Sequence, residues 1–140
     1  MDKSLKELKK EFSEFIQNIS FYIEKLNVIL DCKLTFELVD IDKVQNLFET
    51  NFKNPERIGL NSEILNNCFY AYIGEAFIHY NGGNWILSDS KRDRAYGTPI
   101  ITGSRNTNFT TSPYIWKEYI VRDLEREPIS KIIKLMPSSI

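Results

Sequence analysis

The chain has 140 residues, of which 42% are hydrophobic and 26% are charged, so it fits one globular domain and excludes most large enzyme folds. Eighteen lysine and arginine residues stand against nineteen acidic ones, for a net charge of −1. This balance gives no indication of a nucleic-acid binder. The pattern along the chain predicts a single α+β domain over residues 1–140.

The first residues and the uncharged stretches of the sequence indicate in which cellular compartment the protein is expected. The first residues lead directly into a charged helical pattern, with no apolar segment of the signal-peptide type. The longest stretches without a charged residue, such as 64–74 and 76–88, are shorter than the roughly 20 apolar residues that cross a bilayer. We therefore predict a cytoplasmic protein that has no membrane partner. Cys32 and Cys68 lack the spacing of a zinc or redox motif and are predicted to be reduced thiols.

The N-terminal segment predicts one long helix, because apolar residues recur there at alternating steps of three and four. These residues are Leu5, Leu8, Phe12, Phe15, Ile19, Tyr22, Leu26 and Ile29. Further apolar residues at Ile16, Ile23 and Leu30 widen the stripe, which favours packing on a domain core. A homodimer formed through this helix is the alternative.

A short strand and a second helix are predicted next. Residues 33–39 alternate between apolar and polar side chains, with the period of two of a half-buried strand. Asp40 is then expected to cap a helix from about 41 to 52. The following loop, 54–59, contains the proline and the glycine that end this helix.

The clearest central element is a helix predicted from residue 62 to residue 80. Asn61 is its expected N-cap, and Gly82 with Gly83 supplies the left-handed residue that closes a helix. The segment is apolar around most of its circumference. We therefore expect it to be buried in the middle of the fold.

Two strands are predicted after the central helix, at 84–88 and 98–102, and together they form a β-hairpin or small antiparallel sheet. Their connection, 89–97, is long and polar, so it is expected to be exposed and mobile. A further polar loop covers 104–111.

The C-terminal part predicts two helices. Ser112 and Pro113 open the first helix, and Pro128 interrupts it. A short last helix covers 129–136. The residues expected to point inward from the first of these helices are Ile115, Trp116, Tyr119, Ile120 and Leu124.

Four polar side chains of the central helix could form a chemical site. Cys68, Tyr72, Glu75 and His79 follow a four-three-four spacing and so line one strip. Cys68 and His79 cannot form a nucleophilic pair, because eleven helical residues separate them by roughly 16 Å. A pocket around Tyr72, Glu75 and His79 would make the chain a small enzyme or ligand-binding protein, which is the alternative function. His79 is the only histidine and no second ligand is indicated, so we predict no metal and no cofactor.

Glu75 is the most unusual residue of that helix, because it places one carboxylate in a nearly continuous apolar segment beside Gly74. A buried charge requires a partner. We predict a structural role in which a cation neutralises it across the core, with catalysis or ligand binding as the alternative. The candidate cations are Arg92, Arg94, Arg105, Lys117 and Arg122.

The hairpin connection predicts a partner-binding surface made of Lys91, Arg92 and Arg94 with the flanking aromatic residues Trp85 and Tyr96. Proteins that bind single-stranded nucleic acid combine such residues, but with a larger excess of positive charge. We therefore predict that these five residues contact an acidic protein partner, and we predict no nucleic-acid partner.

Four short motifs carry a resemblance to a known group of proteins: Tyr-Ile-Gly-Glu-Ala-Phe at 72–77, Gly-Gly-Asn-Trp at 82–85, Gly-Thr-Pro-Ile at 97–100 and Ser-Pro at 112–113. Through them, residues 61–125 resemble small bacterial proteins, some of which look like immunity or accessory partners of secreted polymorphic toxins. The resemblance implies a cytoplasmic α+β protein that acts by binding. It supplies no catalytic residues.

The leading hypothesis is thus a non-enzymatic protein-binding module, of the immunity type that inhibits a bacterial toxin. It would cover the active surface of the toxin with the hairpin connection and the adjacent aromatic residues. An oligomeric structural protein, assembled through the N-terminal helix, is a third hypothesis.

Overall fold

The computed structural model describes residues 3–104 and 110–135, and the structural statements below concern that part of the chain. Its elements in chain order are α1 (Leu5–Gln17), α2 (Ile19–Leu30), α3 (Leu38–Asn51), a short 3₁₀ helix (Pro55–Ile58), α4 (Ser62–Asn81), β1 (Asn84–Leu87), β2 (Pro99–Thr102), α5 (Pro113–Val121) and α6 (Ile129–Leu135). The helices and the small antiparallel sheet confirm the α+β prediction.

Helix α4 is the centre of the fold, as predicted. The Asn61 side chain accepts a hydrogen bond from the Ile64 backbone N–H at 2.8 Å and so caps its first turn. Gly82 ends the helix with φ at 75°, a conformation that other residues rarely adopt. Between these ends, α4 packs against α2, α3, α5 and α6. Its buried apolar residues therefore form the middle of the core.

The predicted N-terminal helix is divided in two, so the prediction of one continuous helix is wrong at Asn18. This residue has φ of −107° and ψ of 10°, and its side-chain amide donates to the Glu14 carbonyl at 2.7 Å. Such a local bond competes with regular helix geometry. The apolar stripe itself is real, and four of its members are buried against the rest of the domain: Leu8, Phe15, Tyr22 and Leu26. Because those four side chains are buried in the domain itself, they cannot also form the interface of a homodimer.

The strand predicted at 33–39 does not form. Its side chains keep the expected alternation, with Leu34 and Phe36 half-buried and Thr35 exposed. Its backbone groups, however, bond to side chains and not to a neighbouring strand. These bonds are Leu34 N–H to Asn27 Oδ1 (2.9 Å), Thr35 N–H to Asp40 Oδ2 (2.8 Å), Tyr72 hydroxyl to the Thr35 carbonyl (2.6 Å) and Tyr80 hydroxyl to the Phe36 carbonyl (2.6 Å). The segment is therefore an extended connection held by four side chains.

Asp40 does not cap α3, contrary to the prediction. The helix begins at Leu38 with Glu37 at its N-cap, and Asp40 lies in the first turn. The Asp40 carboxylate accepts from both the hydroxyl and the N–H of Thr35, at 2.7 and 2.8 Å. These two bonds, together with Lys43, lower the pKa of the Asp40 carboxyl. Asp40 thus fixes the preceding connection to the helix.

The hairpin is formed as predicted, within one residue at its loop end. Strands β1 and β2 are antiparallel, with Trp85 opposite Ile101 and Leu87 opposite Pro99. On its other side β2 is covered by Thr111, whose N–H and carbonyl exchange hydrogen bonds of 2.9 and 2.8 Å with Ile101. The sheet is therefore protected on the β2 side by a single bridge.

Helix α5 begins where the sequence predicts, because Ser112 accepts from the Ile115 N–H at 3.1 Å and Pro113 occupies the first turn. Ile120 is buried, as expected, but Leu124 lies beyond the end of the helix and is 42% exposed, so its inward position was predicted wrongly. Helix α6 is joined to α3 by the Ser130 hydroxyl, which donates to Asp42 at 2.6 Å. Residue 136, the predicted end of the last helix, lies outside the described residues. No helix within the described ranges is long and apolar enough to cross a bilayer.

Candidate functional site

The connection between the two strands is a folded loop, and we call residues 88–98 the cationic loop. The Gly97 N–H donates to the Ser88 carbonyl at 2.7 Å, which closes the loop at its base. Within it, the Tyr96 N–H donates to the Asp93 carbonyl at 3.0 Å, and the Thr98 hydroxyl donates to the Ala95 carbonyl at 2.6 Å. Residues 89–92 and 94 are exposed, as the sequence predicted for this connection. The hydrogen bonds give the segment a folded backbone, and its mobility stays a prediction.

Asp93 is the residue that holds this conformation. One carboxylate oxygen accepts from the Ser88 hydroxyl at 2.7 Å, and the other accepts from the Ala95 N–H at 3.0 Å. Both bonds lower the pKa of the Asp93 carboxyl, and the bond from Ser88 has the larger effect. Ser88 and Ala95 are only 3% and 1% exposed. The carboxylate therefore ties the outer turn of the loop to two buried residues at its base.

Three cations project from the cationic loop. Lys91, Arg92 and Arg94 are all exposed. None of them forms an ion pair with any residue in 3–104 or 110–135, although seven ion pairs occur elsewhere in those ranges. Cations on a fixed backbone without an internal counter-ion can meet acidic groups of another molecule. Their exposure was expected from the sequence, and their contact with a partner stays a prediction.

Tyr96 lies beside these cations, at the edge of a cleft between the cationic loop and the start of α1. The cleft has a volume of about 730 Å³. It is lined by Lys3, Ser4, Leu5 and Leu8 from the N-terminal side and by Asp89, Lys91, Tyr96 and Gly97 from the loop. Leu5 is 43% exposed there, so the cleft has an apolar part beside its charged rim. Sequence reasoning missed the contribution of α1, because it depends on how the helix packs against the hairpin.

Trp85 belongs to the core-facing side of the hairpin, apart from the three cations. Its indole covers Gly74 of α4 so closely that a Cβ atom at Gly74 would overlap the ring. The ring also meets Phe15 edge-on, with centroids 5.3 Å apart. Its Nε1–H donates to the Glu75 carboxylate at 2.8 Å. Trp85 therefore anchors the hairpin to α1 and α4, a different position from the partner-binding one that was predicted.

Among the described residues, the partner of Glu75 is an indole and not one of the predicted cations. Its side chain is half-buried, and no ion pair to it occurs within the described residues. Of the candidate cations, Lys117 and Arg122 both pair with Glu118, at 3.0 and 3.5 Å, and Arg105 lies outside the described residues. A hydrogen bond from a neutral N–H to a carboxylate is stronger than one between neutral groups. It joins the hairpin to the central helix, which is the structural role expected of Glu75.

The alternative pocket around Tyr72, Glu75 and His79 has no support in the geometry. Tyr72 is fully buried and its hydroxyl is bonded to Thr35, and burial raises its pKa. His79 is exposed, with its ring centroid 5.3 Å from that of Phe36. Each of the three side chains thus has its own surroundings, and the cleft beside the cationic loop is lined by other residues.

Cys68 is likewise a core residue. It is fully buried, and burial raises the pKa of its thiol to about 11, so the thiol is protonated at neutral pH. Cys32 is half-buried and also free. Within the described ranges, no group of three or more His, Cys, Asp or Glu side chains is placed to hold a metal ion.

Asp93 is the site residue that sequence reasoning missed. The partner-binding surface predicted from the sequence does not include it. Aspartate commonly accepts a hydrogen bond from the backbone N–H two residues ahead, and Ala95 stands at that spacing. That local rule could have predicted a folded loop. Its bond to Ser88 depends on the hairpin register and has no sequence signal of its own.

Comparison of the chain with protein-family models, with curated proteins and with solved structures gave no match. The functional conclusion therefore depends on the geometry of the cationic loop and its surroundings.

Proposed function

We propose that the protein is a binding module whose cationic loop contacts an acidic surface on a protein partner. One observation carries the proposal: Lys91, Arg92 and Arg94 are exposed and unpaired, within the described ranges, on a loop that Asp93 holds in one conformation. A prefolded loop loses less conformational entropy on binding than a flexible one. Complementary charge then favours a partner of opposite sign and speeds the encounter.

A protein partner is favoured over a nucleic acid. Surfaces that bind single strands present several aromatic rings for stacking beside their cations. Here Tyr96 is the aromatic residue of the loop, whereas Trp85 is packed on Gly74 and Phe15. The net charge of −1 also means that the chain has no excess of positive charge with which to neutralise a row of phosphates. These features support a compact protein epitope.

Inhibition of a bacterial toxin is the narrower form of the proposal, and the sequence resemblance is its only support. A non-enzymatic role is supported by the hydrogen bonds of Tyr72 and Glu75. The Tyr72 hydroxyl donates to the Thr35 carbonyl and the Glu75 carboxylate accepts from the Trp85 indole, so each polar group already has a structural partner. Assembly through the N-terminal heptads has less support, because Leu8, Phe15 and Leu26 are buried within the chain.

The test is affinity capture from the source organism with matched charge-reversal variants. Arg92→Glu combined with Arg94→Glu should lose the captured partner. Lys10→Glu combined with Lys33→Glu changes the net charge equally at exposed positions outside the loop and should retain it. Equal capture by both double variants would overturn the proposal.

A further inference from the structure

Among the described residues, β1 is paired with a strand on its β2 side alone, and the hydrogen-bonding pattern of the hairpin determines which backbone groups lie on its other edge. In an antiparallel pair, alternate residues direct both their N–H and their C=O toward the partner strand. The Ser88 N–H donates to Thr98 across the hairpin at 3.0 Å, so the residues facing β2 are the even-numbered ones, Asn84 and Ile86. Ile101 exchanges its bonds with Thr111 on the far side of β2, which gives the same phase independently.

Trp85 and Leu87 consequently direct their N–H and C=O groups away from β2. In residues 3–104 and 110–135 no hydrogen bond to these four groups is formed. The β2 side differs, because Thr111 bridges Ile101 and because Pro99 has no N–H to present. An edge strand with unpaired backbone groups is a template for pairing with another chain.

We propose that β1 accepts an extended acidic segment of the partner as a third strand of the sheet. This inference rests on the proposed function and specifies how the partner binds. The N–H and C=O groups of Trp85 and Leu87 would provide the main-chain hydrogen bonds, as in other complexes in which a peptide extends a sheet.

Charge and apolar surface define the chemistry of that segment. Lys91 and Arg92 follow β1 closely in the chain and are exposed, so acidic side chains on the added strand would face cations without internal partners among the described residues. Successive side chains of an added strand would lie alternately beside the outer face of β1, where Ile86 is 41% exposed, and beside the core-facing side chains of Trp85 and Leu87. In a strand of alternating acidic and β-branched residues, the acidic side chains would occupy the outer face and the branched ones would pack beside Trp85 and Leu87.

The inference is tested with a short fluorescein-labelled peptide of alternating glutamate and valine. Fluorescence anisotropy measures its binding, and amide hydrogen exchange followed by NMR locates it. At saturation we expect exchange at the Trp85 and Leu87 amides to slow about tenfold or more. The Ile86 amide already faces β2 and should change much less.

Two controls separate backbone pairing from charge. Leu87→Pro removes one outward N–H without removing a ladder bond, and it should weaken binding about tenfold. If that variant does not fold, the wild-type protein is tested with the same peptide N-methylated at every residue, which has no backbone N–H to donate along the edge. The corresponding peptide of lysine and valine should bind far more weakly than the acidic one.

The outcomes distinguish this inference from the proposed function. If the acidic peptide binds and the Arg92→Glu, Arg94→Glu variant weakens it, but exchange at Trp85 and Leu87 is unchanged, strand addition is overturned and the loop contact stands. If the peptide does not bind at millimolar concentration, strand addition is overturned, and the capture experiment still decides the function. Protection of both amides together with weaker binding of the N-methylated peptide supports strand addition.

Discussion

The indole of Trp85 donates a hydrogen bond of 2.8 Å to the carboxylate of Glu75, and this contact joins the hairpin to the central helix. The two residues are ten positions apart, across the turn that ends α4. The contact orients the hairpin and therefore the cationic loop at its end. The loop that we propose as the binding surface is thus supported by a core interaction and not by surface contacts alone.

Replacing Trp85 with Phe should destabilise the protein by about 1–3 kcal/mol, because the half-buried Glu75 carboxylate loses its donor. Trp116→Phe is the matched control, since the Trp116 indole is also half-buried but donates to no residue within the described ranges. Denaturant unfolding measures both variants. Equal losses of unfolding free energy would show that only ring volume matters and would contradict the role given to this bond.

Gly74→Ala should destabilise the protein by about 1–3 kcal/mol, because the new methyl group would overlap the Trp85 ring. The sign is informative, since alanine normally stabilises a helix by about 1 kcal/mol relative to glycine. Placed in a Trp85→Ala background, the same substitution should no longer be destabilising. Increased thermal stability of the single variant would refute the close approach of these two residues.

The Asp93 carboxylate predicts a defined pH dependence. Its pKa is lowered in the folded state, so the stability it contributes is present above the unfolded-state pKa of about 3.9 and is lost as the pH falls through the folded-state value. Asp93→Asn should therefore flatten the loss of unfolding free energy below about pH 5. Asp89→Asn, in the same loop but without a hydrogen bond within the described ranges, is the control. Parallel pH profiles for wild type and Asp93→Asn would exclude this role for Asp93.

Tyr72→Phe should cost about 0.5–1.5 kcal/mol, because the Thr35 carbonyl loses the hydroxyl that bonds to it at 2.6 Å. Tyr119 is also a half-buried tyrosine, but its hydroxyl has no such bond among the described residues, so Tyr119→Phe should cost less. Amide exchange at residues 33–37 should also rise in Tyr72→Phe alone. If both variants have wild-type stability and exchange, this hydroxyl does not hold the extended connection.

Elements with local signals were predictable from the sequence. Asn61 and Gly82 bound α4, and Ser112 with Pro113 begins α5, because caps act on residues within one turn. The hairpin was predictable for the same reason, since each strand is a short apolar run, Trp85–Leu87 or Ile100–Ile101, bounded by turn residues. These features required no knowledge of tertiary packing.

Features that depend on distant partners were not predictable. Residues 33–39 alternate like a strand, but Tyr72 and Tyr80, more than thirty positions away, take the carbonyls that a neighbouring strand would have used. In the same way Glu75 was correctly identified as needing a partner, yet Trp85 was not identified as its donor. The sequence revealed the unsatisfied group in each case. The fold determined which side chain satisfied it.

The central claim is that Arg92 and Arg94 provide the positive charge that binds an acidic partner. Their loop is held in shape by the hydrogen bonds of Asp93 to Ser88 and Ala95. The most direct measurement is the affinity of the captured partner, across a salt series, for wild type, for the Arg92→Glu, Arg94→Glu variant and for the Lys10→Glu, Lys33→Glu control. We predict that the loop variant loses about tenfold or more in affinity, with a flatter dependence on salt, while the control stays near wild type. Equal affinities and equal salt dependence for all three proteins would contradict the account.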